Sequence, residues 1–215
     1  RLGEEGRLVA FDQDEDSIVN IINDSRFLLI NENFRYLKQF LKFNSISKVD
    51  GILGDFGVSS HQFNVAERGF STRFEAELDM RMNKKSPFSA FDVINKYSEE
   101  KLRLVFYNYG ELRAAAGIAR VIVENRQQRP IVSSEQLKNS LGRFLPKHRE
   151  SKILAQIYQA IRIEVNQELA ALKDFLSQTI DVLNSGGRLS LISYHSLEDR
   201  LVKSCLLYTS PSPRD

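Results

Sequence analysis

Residues 50–62 of this 215-residue chain read DGILGDFGVSSHQ. The short apolar run 51–54 stops abruptly at Asp55, and glycine, serine and a polar tip follow. This pattern is typical of a buried parallel strand that ends at the carboxyl edge of a sheet, which is where open α/β sheets bind their ligands. Asp55 is therefore a candidate site residue, with the alternative that it only caps a turn.

Two more strands are predicted upstream, at residues 7–11 and 27–30, and an amphipathic segment follows each of them. The first of these segments contains an apolar stripe of Ile18, Ile21 and Ile22, and either Ser17 or an earlier Asp would cap it. The order strand–helix–strand–helix–strand predicts a parallel, doubly wound sheet of the Rossmann-like α/β class. An acid that ends an early strand of such a sheet accepts hydrogen bonds from the ribose of an adenosine-containing cofactor. Asp12 is placed for that role, the alternative being a helix N-cap.

From residue 64 to residue 150 the strand–helix alternation stops and helix signals dominate. Ser86, Ser98 and Ser133 begin predicted helices. Another helix is predicted over 111–126, where Arg113 and Arg120 would share one face. Ten basic and three acidic residues lie between Lys101 and Arg149, in a chain whose net charge is only +2. This local excess indicates an inserted helical subdomain that faces nucleic acid, or else an ordinary solvated surface.

The last third of the chain returns to the sheet pattern. Residues 151–183 contain no Gly or Pro and predict one long helix or two nearly continuous ones. Gln159, Arg162 and Asn166 form a polar stripe on it, turned either to solvent or to a crevice. A strand over 188–193 follows, and polar groups crowd its end in the sequence YHSLEDR. His195 is the candidate site residue there.

Composition narrows the class of protein. The single cysteine, Cys205, excludes an internal disulfide framework and a Cys-rich metal site, so we predict no metal and a cytoplasmic location. No apolar run reaches the ~18 residues that would span a bilayer.

The chain begins at Arg1 without Met, so we expect upstream sequence to be missing. Residues 205–215 end in LLYTSPSPRD and are interpreted as a non-native tail.

Six segments together resemble one family closely. They are GDFGVSSHQ, AERGFS, LDMRM, YGELR, QAIRIEVNQEL and GGRLSLISYHSLEDR, in this order. The chain is similar over most of its length to the bacterial 16S ribosomal RNA cytosine-N4 methyltransferases, which use S-adenosylmethionine. The resemblance implies a class I methyltransferase domain formed by residues 1–63 and 151–204, with its first strand missing, and an inserted helical RNA-recognition subdomain at 64–150.

The resemblance also implies roles for individual residues. Asp12, Phe34, Asp55 and Gln62 match the family's cofactor contacts, with Phe34 beside the adenine. Asp55 and His195 are the candidate catalytic residues, as possible acceptors of the amine proton. The candidate substrate-binding residues are Arg113, Arg120, Arg162, Ser193 and His195. The family's glycine-rich segment, which cradles the methionine part of the cofactor, lies before Arg1. We therefore expect these 215 residues by themselves to be inactive.

Two other functions remain open from the residues alone. An acid after an early strand fits a nicotinamide-dependent Rossmann enzyme equally well, because both cofactors contain an adenosine ribose. A non-catalytic RNA-binding protein with the same fold is the second alternative. The predicted partner is 16S ribosomal RNA in the small ribosomal subunit, with no membrane.

Overall fold

The computed structural model describes residues 2–207. Its strands are β1 (Leu8–Phe11), β2 (Phe27–Ile30), β3 (Val49–Asp55) and β4 (Leu183–Ile192). Its helices are α1 (Leu37–Phe43), α2 (Ser60–Asn64), α3 (Ala90–Lys96), α4 (Glu99–Asn108), α5 (Ala115–Gln128), α6 (Ser134–Ser140), α7 (Glu150–Asn166), α8 (Glu168–Val182) and α9 (Ser196–Leu207). Short 3₁₀ helices lie at Glu15–Asn20, Phe34–Tyr36, Ala66–Arg68 and Gly142–Phe144. None of the helices described is both long and apolar enough to cross a bilayer.

The chain divides into two compact units. The first combines residues 1–57 with 169–215, and the second is 58–168. The divisions predicted from the sequence lie after residues 63 and 150, which assigns α7 to the sheet domain. In the structure α7 packs against α3 and α4 instead, and it therefore belongs to the helical unit.

Both strand pairs of the first unit are parallel, as the element order predicts. Leu8 to Phe11 run opposite Phe27 to Ile30. Gly51 to Asp55 run opposite Arg188 to Ile192. The α/β class is therefore confirmed. The expected single doubly wound sheet is not seen, because within residues 2–207 β1 pairs only with β2 and β3 only with β4.

The core of the first unit lies between β3–β4 and two helices, α1 and α8. Its buried side chains are Leu37 and Leu41 of α1, Leu172, Phe175, Leu176 and Val182 of α8, and Phe56. Ion pairs join Arg35 to Asp174 and Lys38 to Asp181, and so fix α1 along α8.

The segment after β1 differs from its prediction. A 3₁₀ helix forms over Glu15–Asn20 in place of an amphipathic α-helix, with Asp14 as its N-cap. The Asp14 carboxylate accepts the N–H of Asp16, and the Ser17 hydroxyl donates to the Asp14 carbonyl oxygen. Such local bonds compete with the α-helical ladder. The apolar stripe is consequently not buried: Ile18, Ile21 and Ile22 are all classed as exposed.

The second unit is an all-helical core. Its most deeply buried large side chains include Leu102 and Phe106 of α4, Ile118 and Ile122 of α5, and Ile157 and Ile161 of α7. Gln167 has a left-handed backbone (φ 50°) and ends α7 one residue before α8 begins. Of the two alternatives for residues 151–183, the pair of nearly continuous helices is therefore correct.

The predicted polar stripe of α7 ties down loops of its own unit, and two of its members, Gln159 and Arg162, also line a crevice of about 170 Å³ within that unit. The Asn166 side chain accepts the N–H of Met82 (2.7 Å) and donates to the carbonyl oxygen of Met80 (2.8 Å). Gln159 Nε2 donates to the carbonyl oxygen of Tyr109 (3.0 Å). Because each bond satisfies a backbone group at the edge of the core, the stripe stabilises the fold.

The interpretation of residues 205–215 as a non-native tail can be compared with the structure only as far as Leu207. Helix α9 continues to Leu207, and Cys205 packs against the core of the first unit. Residues 208–215, like Arg1, lie outside the described part of the chain.

Gly69 supports a prediction on stability. Its φ is +70°, and a Cβ there would lie 2.5 Å from the Glu77 carbonyl oxygen. We expect Gly69→Ala to lower the free energy of unfolding by about 1–3 kcal/mol, because strain in the left-handed region adds to the backbone clash. Urea denaturation measures the change. Gly142→Ala is the matched control, since a Cβ at that position meets nothing within 4 Å. Equal stability of the two variants would contradict the prediction.

Candidate active site

Asp12 lies directly after β1, with an exposed carboxylate. Its Oδ1 accepts the N–H of Asp14 (2.9 Å), and the Asn31 side chain donates to its carbonyl oxygen (2.9 Å). The N-cap of the following 3₁₀ helix is Asp14. The alternative that Asp12 is the helix cap is therefore wrong, and its carboxylate stands at the strand end that the sequence predicted.

An aromatic cluster connects the segments that follow β2 and β3. The ring centroids of Phe34 and Phe56 are 5.6 Å apart, and those of Phe34 and Phe175 are 5.5 Å apart. Phe56 is the neighbour of Asp55, and its N–H donates to the Ile192 carbonyl oxygen (3.2 Å). The packing of Phe34 on Phe56 thus brings the predicted adenine-lining residue and the predicted acid to the same edge of the first unit.

Asp55 ends β3 as an exposed carboxylate, and its partner is a residue that sequence reasoning missed. The Tyr194 hydroxyl donates a hydrogen bond to Asp55, and this bond raises the pKa of the Tyr194 phenol above its ordinary value. Gly57, with φ +91°, lets the chain turn beside the Tyr194 ring, whose Cδ2 would be 3.5 Å from a Cβ at that position. An exposed aromatic residue directly before His195 was the signal that could have found it.

His195 is more enclosed than the prediction of a catalytic role implied. Its side chain is 10% exposed and that of Glu198 is 3% exposed. Nδ1 accepts the N–H of Glu198 (3.4 Å), so the proton of a neutral ring sits on Nε2. Nε2 lies 3.3 Å from Glu198 Oε1, but it has no partner of hydrogen-bonding geometry within residues 2–207.

Glu198 also holds the residue before this histidine. Its Oε2 accepts the backbone N–H of Tyr194 (2.9 Å). The start of α9 therefore fixes the backbone of Tyr194, while Asp55 fixes its hydroxyl. Ser193, just upstream, is exposed.

Gln62 belongs to the second unit and has a local function there. Ser59 and Gln62 form a capping box at the start of α2: the Gln62 side chain accepts the Ser59 N–H (3.2 Å), and the Ser59 hydroxyl accepts the Gln62 N–H (3.1 Å). The Gln62 side chain is thereby oriented by the helix end. Its contact with a cofactor stays a prediction.

The three arginines proposed for RNA binding have different surroundings. Helix α5 begins only at Ala115, after a left-handed Glu111 (φ 51°), so Arg113 is not helical and does not share a helical face with Arg120. That prediction was wrong because the backbone of Glu111 cannot continue a helix. Nε of Arg120 lies 3.6 Å from Oε1 of Glu99, so the two side chains form an ion pair. Arg162 forms a two-pronged ion pair with Glu168, at 2.8 and 3.0 Å.

A family model described as the MraW methylase family matches residues 1–214. The chain belongs to the MraW methylase family. Among its relatives, ribosomal RNA small subunit methyltransferase H of Flavobacterium psychrophilum is 64% identical over 203 residues, which cover 94% of this chain and 70% of the relative. The protein of the same name from Christiangramia forsetii is 65% identical, with 94% and 67% covered. That from Bacteroides thetaiotaomicron is 50% identical over 206 residues, with 96% and 68% covered.

Membership of the MraW methylase family confirms the resemblance found in the sequence motifs. The protein is accordingly a methyltransferase, and the nicotinamide-dependent and non-catalytic alternatives are set aside. The strand-end residues Asp12, Phe34 and Asp55 form the candidate active site of this methylase in its first unit.

Proposed function

We propose that this methylase, in a form extended to the length of its relatives, transfers a methyl group from S-adenosylmethionine to the exocyclic N4 amine of a cytidine in 16S ribosomal RNA of the small ribosomal subunit, in the cytoplasm. The observation that supports the proposal is that Asp12 and Asp55 stand at the carboxyl ends of parallel strands and that Phe34 packs on Phe56, the neighbour of Asp55, in a chain of a methylase family. Ligands of open α/β sheets bind at this edge.

The residues at this edge fit an adenosine-containing cofactor. An exposed carboxylate at Asp12 can accept hydrogen bonds from two ribose hydroxyls while its Oδ1 also holds the turn. The half-buried ring of Phe34 offers an apolar surface for adenine. We propose Gln62 as a further contact, because its side chain is fixed by the capping box. When bound, S-adenosylmethionine supplies an electrophilic methyl group on a sulfonium.

The acceptor amine needs help because its lone pair is conjugated into the cytosine ring. A carboxylate that accepts a hydrogen bond from the amine N–H restores tetrahedral character at nitrogen and orients the lone pair. Asp55 is placed for this role, and Tyr194 holds its carboxylate through the hydroxyl. Positioning of this kind can contribute ~7–11 kcal/mol to lowering a barrier.

Ser193 and His195 are proposed to act on the substrate from the turn between β4 and α9. The exposed Ser193 hydroxyl can donate to the cytosine carbonyl. His195, nine-tenths buried beside Glu198, keeps the backbone of this turn in place, and its Nε2–H would donate a hydrogen bond to the substrate rather than accept the amine proton. The target base has to leave its stack to reach such a site.

The helical unit is proposed to hold the RNA around the target. Its basic residues, among them Arg113, Arg120 and Arg162, would contact phosphates of a single-stranded region. Arg120 and Arg162 are ion-paired with glutamates, so less of their positive charge is available to RNA phosphates. We therefore expect Arg113 to contribute most of the three to RNA binding.

Calorimetry and methyl transfer test the proposal together. S-adenosylmethionine and NAD are titrated separately into the 215-residue chain, and tritiated S-adenosylmethionine is supplied with small-subunit RNA to a form of the chain extended to the length of its relatives. We expect binding of S-adenosylmethionine and not of NAD, and label on N4 of a cytidine after nuclease digestion. Binding of NAD alone, or label on protein or on another base, would refute the assignment.

A further inference from the structure

A cavity of about 460 Å³ lies within the helical unit, apart from the strand-end residues. Its walls are the segment that enters α5, the 3₁₀ helix Gly142–Phe144 and the first turns of α7. The lining residues are Glu111, Leu112, Arg113, Ala114, Ile118, Phe144, Arg149, Lys152, Ile153 and Gln156. Pockets for small organic ligands fall in the same range of volume, about 300–1,000 Å³.

Three cations border this cavity without a carboxylate partner in the described part of the chain: Arg113, Arg149 and Lys152. Other basic side chains of the same unit are ion-paired, namely Lys96 with Asp92, Arg103 with Glu100 and Lys138 with Glu150. Glu111 is the acidic residue of the lining. Positive charges gathered around one concave site focus the field and attract an anion.

The remaining lining is apolar and includes one aromatic ring. Phe144 packs directly on the backbone of α5 at Gly117, where a Cβ would be only 2.6 Å from its Cζ. The Arg143 guanidinium lies 5.0 Å from the centroid of the same ring. Because residue 117 is a glycine, the Phe144 ring can pack close to the backbone of α5. An aromatic ring beside unpaired cations is the combination that binds an unstacked base with its phosphate.

We propose that this cavity binds one unstacked nucleotide of single-stranded RNA, with the base against Phe144 and the adjoining phosphates held by Arg113, Arg149 and Lys152. The choice of RNA rests on the proposed function; the chemistry of the cavity selects a ligand that is both flat and anionic. A paired duplex is excluded, because its bases are stacked and unavailable to the ring.

The charge arm of the test uses a fluorescent single-stranded RNA, the 215-residue chain without cofactor, and titrations at several KCl concentrations. The triple variant R113Q/R149Q/K152Q removes the unpaired cations. Its matched control K96Q/R103Q/K138Q removes as many charges from ion-paired positions. We expect the first to bind at least about 10-fold more weakly at low salt and to lose about 2 from the slope of log K against log salt, since each phosphate contact on a single strand contributes ~0.7. Equal losses in the two triple variants would overturn the proposal.

The base arm changes Phe144→Leu, which keeps an apolar side chain but removes the stacking surface. We expect single-stranded RNA to bind at least about 5-fold more weakly, with an unchanged salt slope, and duplex binding to stay the same. RNA substituted with 4-thiouridine should cross-link to residues 112–118 or 144–153 of the wild-type chain. Thermal unfolding of each variant reports whether it is folded.

Competition separates a nucleotide site from a simple phosphate site. Cytidine monophosphate should displace the RNA at concentrations where inorganic phosphate does not. Equal displacement by both, or cross-links elsewhere in a folded wild-type chain, would overturn the proposal. Methyl transfer is not a readout in any arm. If the extended form bound RNA through this cavity but did not methylate cytidine, the proposed function would be contradicted and the nucleotide site would stand.

Discussion

Arg162→Met is expected to lower the free energy of unfolding by about 3–5 kcal/mol, the usual cost of breaking a buried ion pair by removing one of its members. Arg162 and Glu168 have side chains only 15% and 9% exposed, and two parallel hydrogen bonds of 2.8 and 3.0 Å join them. The methionine fills much of the same volume, so the loss comes from the removal of the guanidinium and of its two hydrogen bonds to Glu168. Urea denaturation at neutral pH measures it.

Two further variants show whether the lost ion pair is the cause of the reduced stability. Arg103→Met breaks an ion pair with Glu100 of similar geometry on the exposed face of α4, and we expect little change in stability because exposed pairs contribute little. The double variant R162M/E168M should recover part of the loss, since the buried carboxylate is removed together with the guanidinium. If Arg162→Met instead left stability unchanged and weakened RNA binding, Arg162 would be a substrate-binding residue, as predicted from the sequence.

Asp12→Asn and Asp55→Asn are each expected to weaken the binding of S-adenosylmethionine by at least about 10-fold. A hydrogen bond to a charged group contributes roughly 1.5–3 kcal/mol, and both substitutions remove the charge. Asparagine at position 12 keeps the oxygen that accepts the Asp14 N–H, so the turn after β1 is preserved. Isothermal titration calorimetry measures the affinity, and the urea midpoint should stay unchanged because both side chains are exposed.

Asp24→Asn is the matched control for these two variants. Asp24 is another acid of the first unit, paired with Arg26, but it precedes β2 and so lies at the amino end of the strand. Its replacement should leave cofactor affinity unaltered. Unchanged affinity in the Asp12 and Asp55 variants, or an equal fall in all three, would show that the strand carboxyl ends are not the cofactor site.

The strands and their parallel pairing followed from the sequence, because the signal is local. Short apolar runs that end in an acid, such as those before Asp12 and Asp55, have few other structures open to them. The family motifs likewise determined the class of enzyme, since long and unusual segments such as QAIRIEVNQEL are specific to one family. In the structure that segment spans the end of α7 and the start of α8, where Asn166 and Arg162 hold the fold together.

Two local backbone conformations, and the contacts between distant residues, were decided only by the tertiary structure. The helix predicted after β1 was lost to hydrogen bonds around Asp14, and Arg113 left its predicted helix because Glu111 takes a left-handed backbone. Neither the hydrogen bond of Tyr194 to Asp55 nor the gathering of Arg113, Arg149 and Lys152 around one cavity has a periodic signature in the chain. Sequence spacing determines which residues share an element, whereas the partner of a charged side chain depends on how those elements pack.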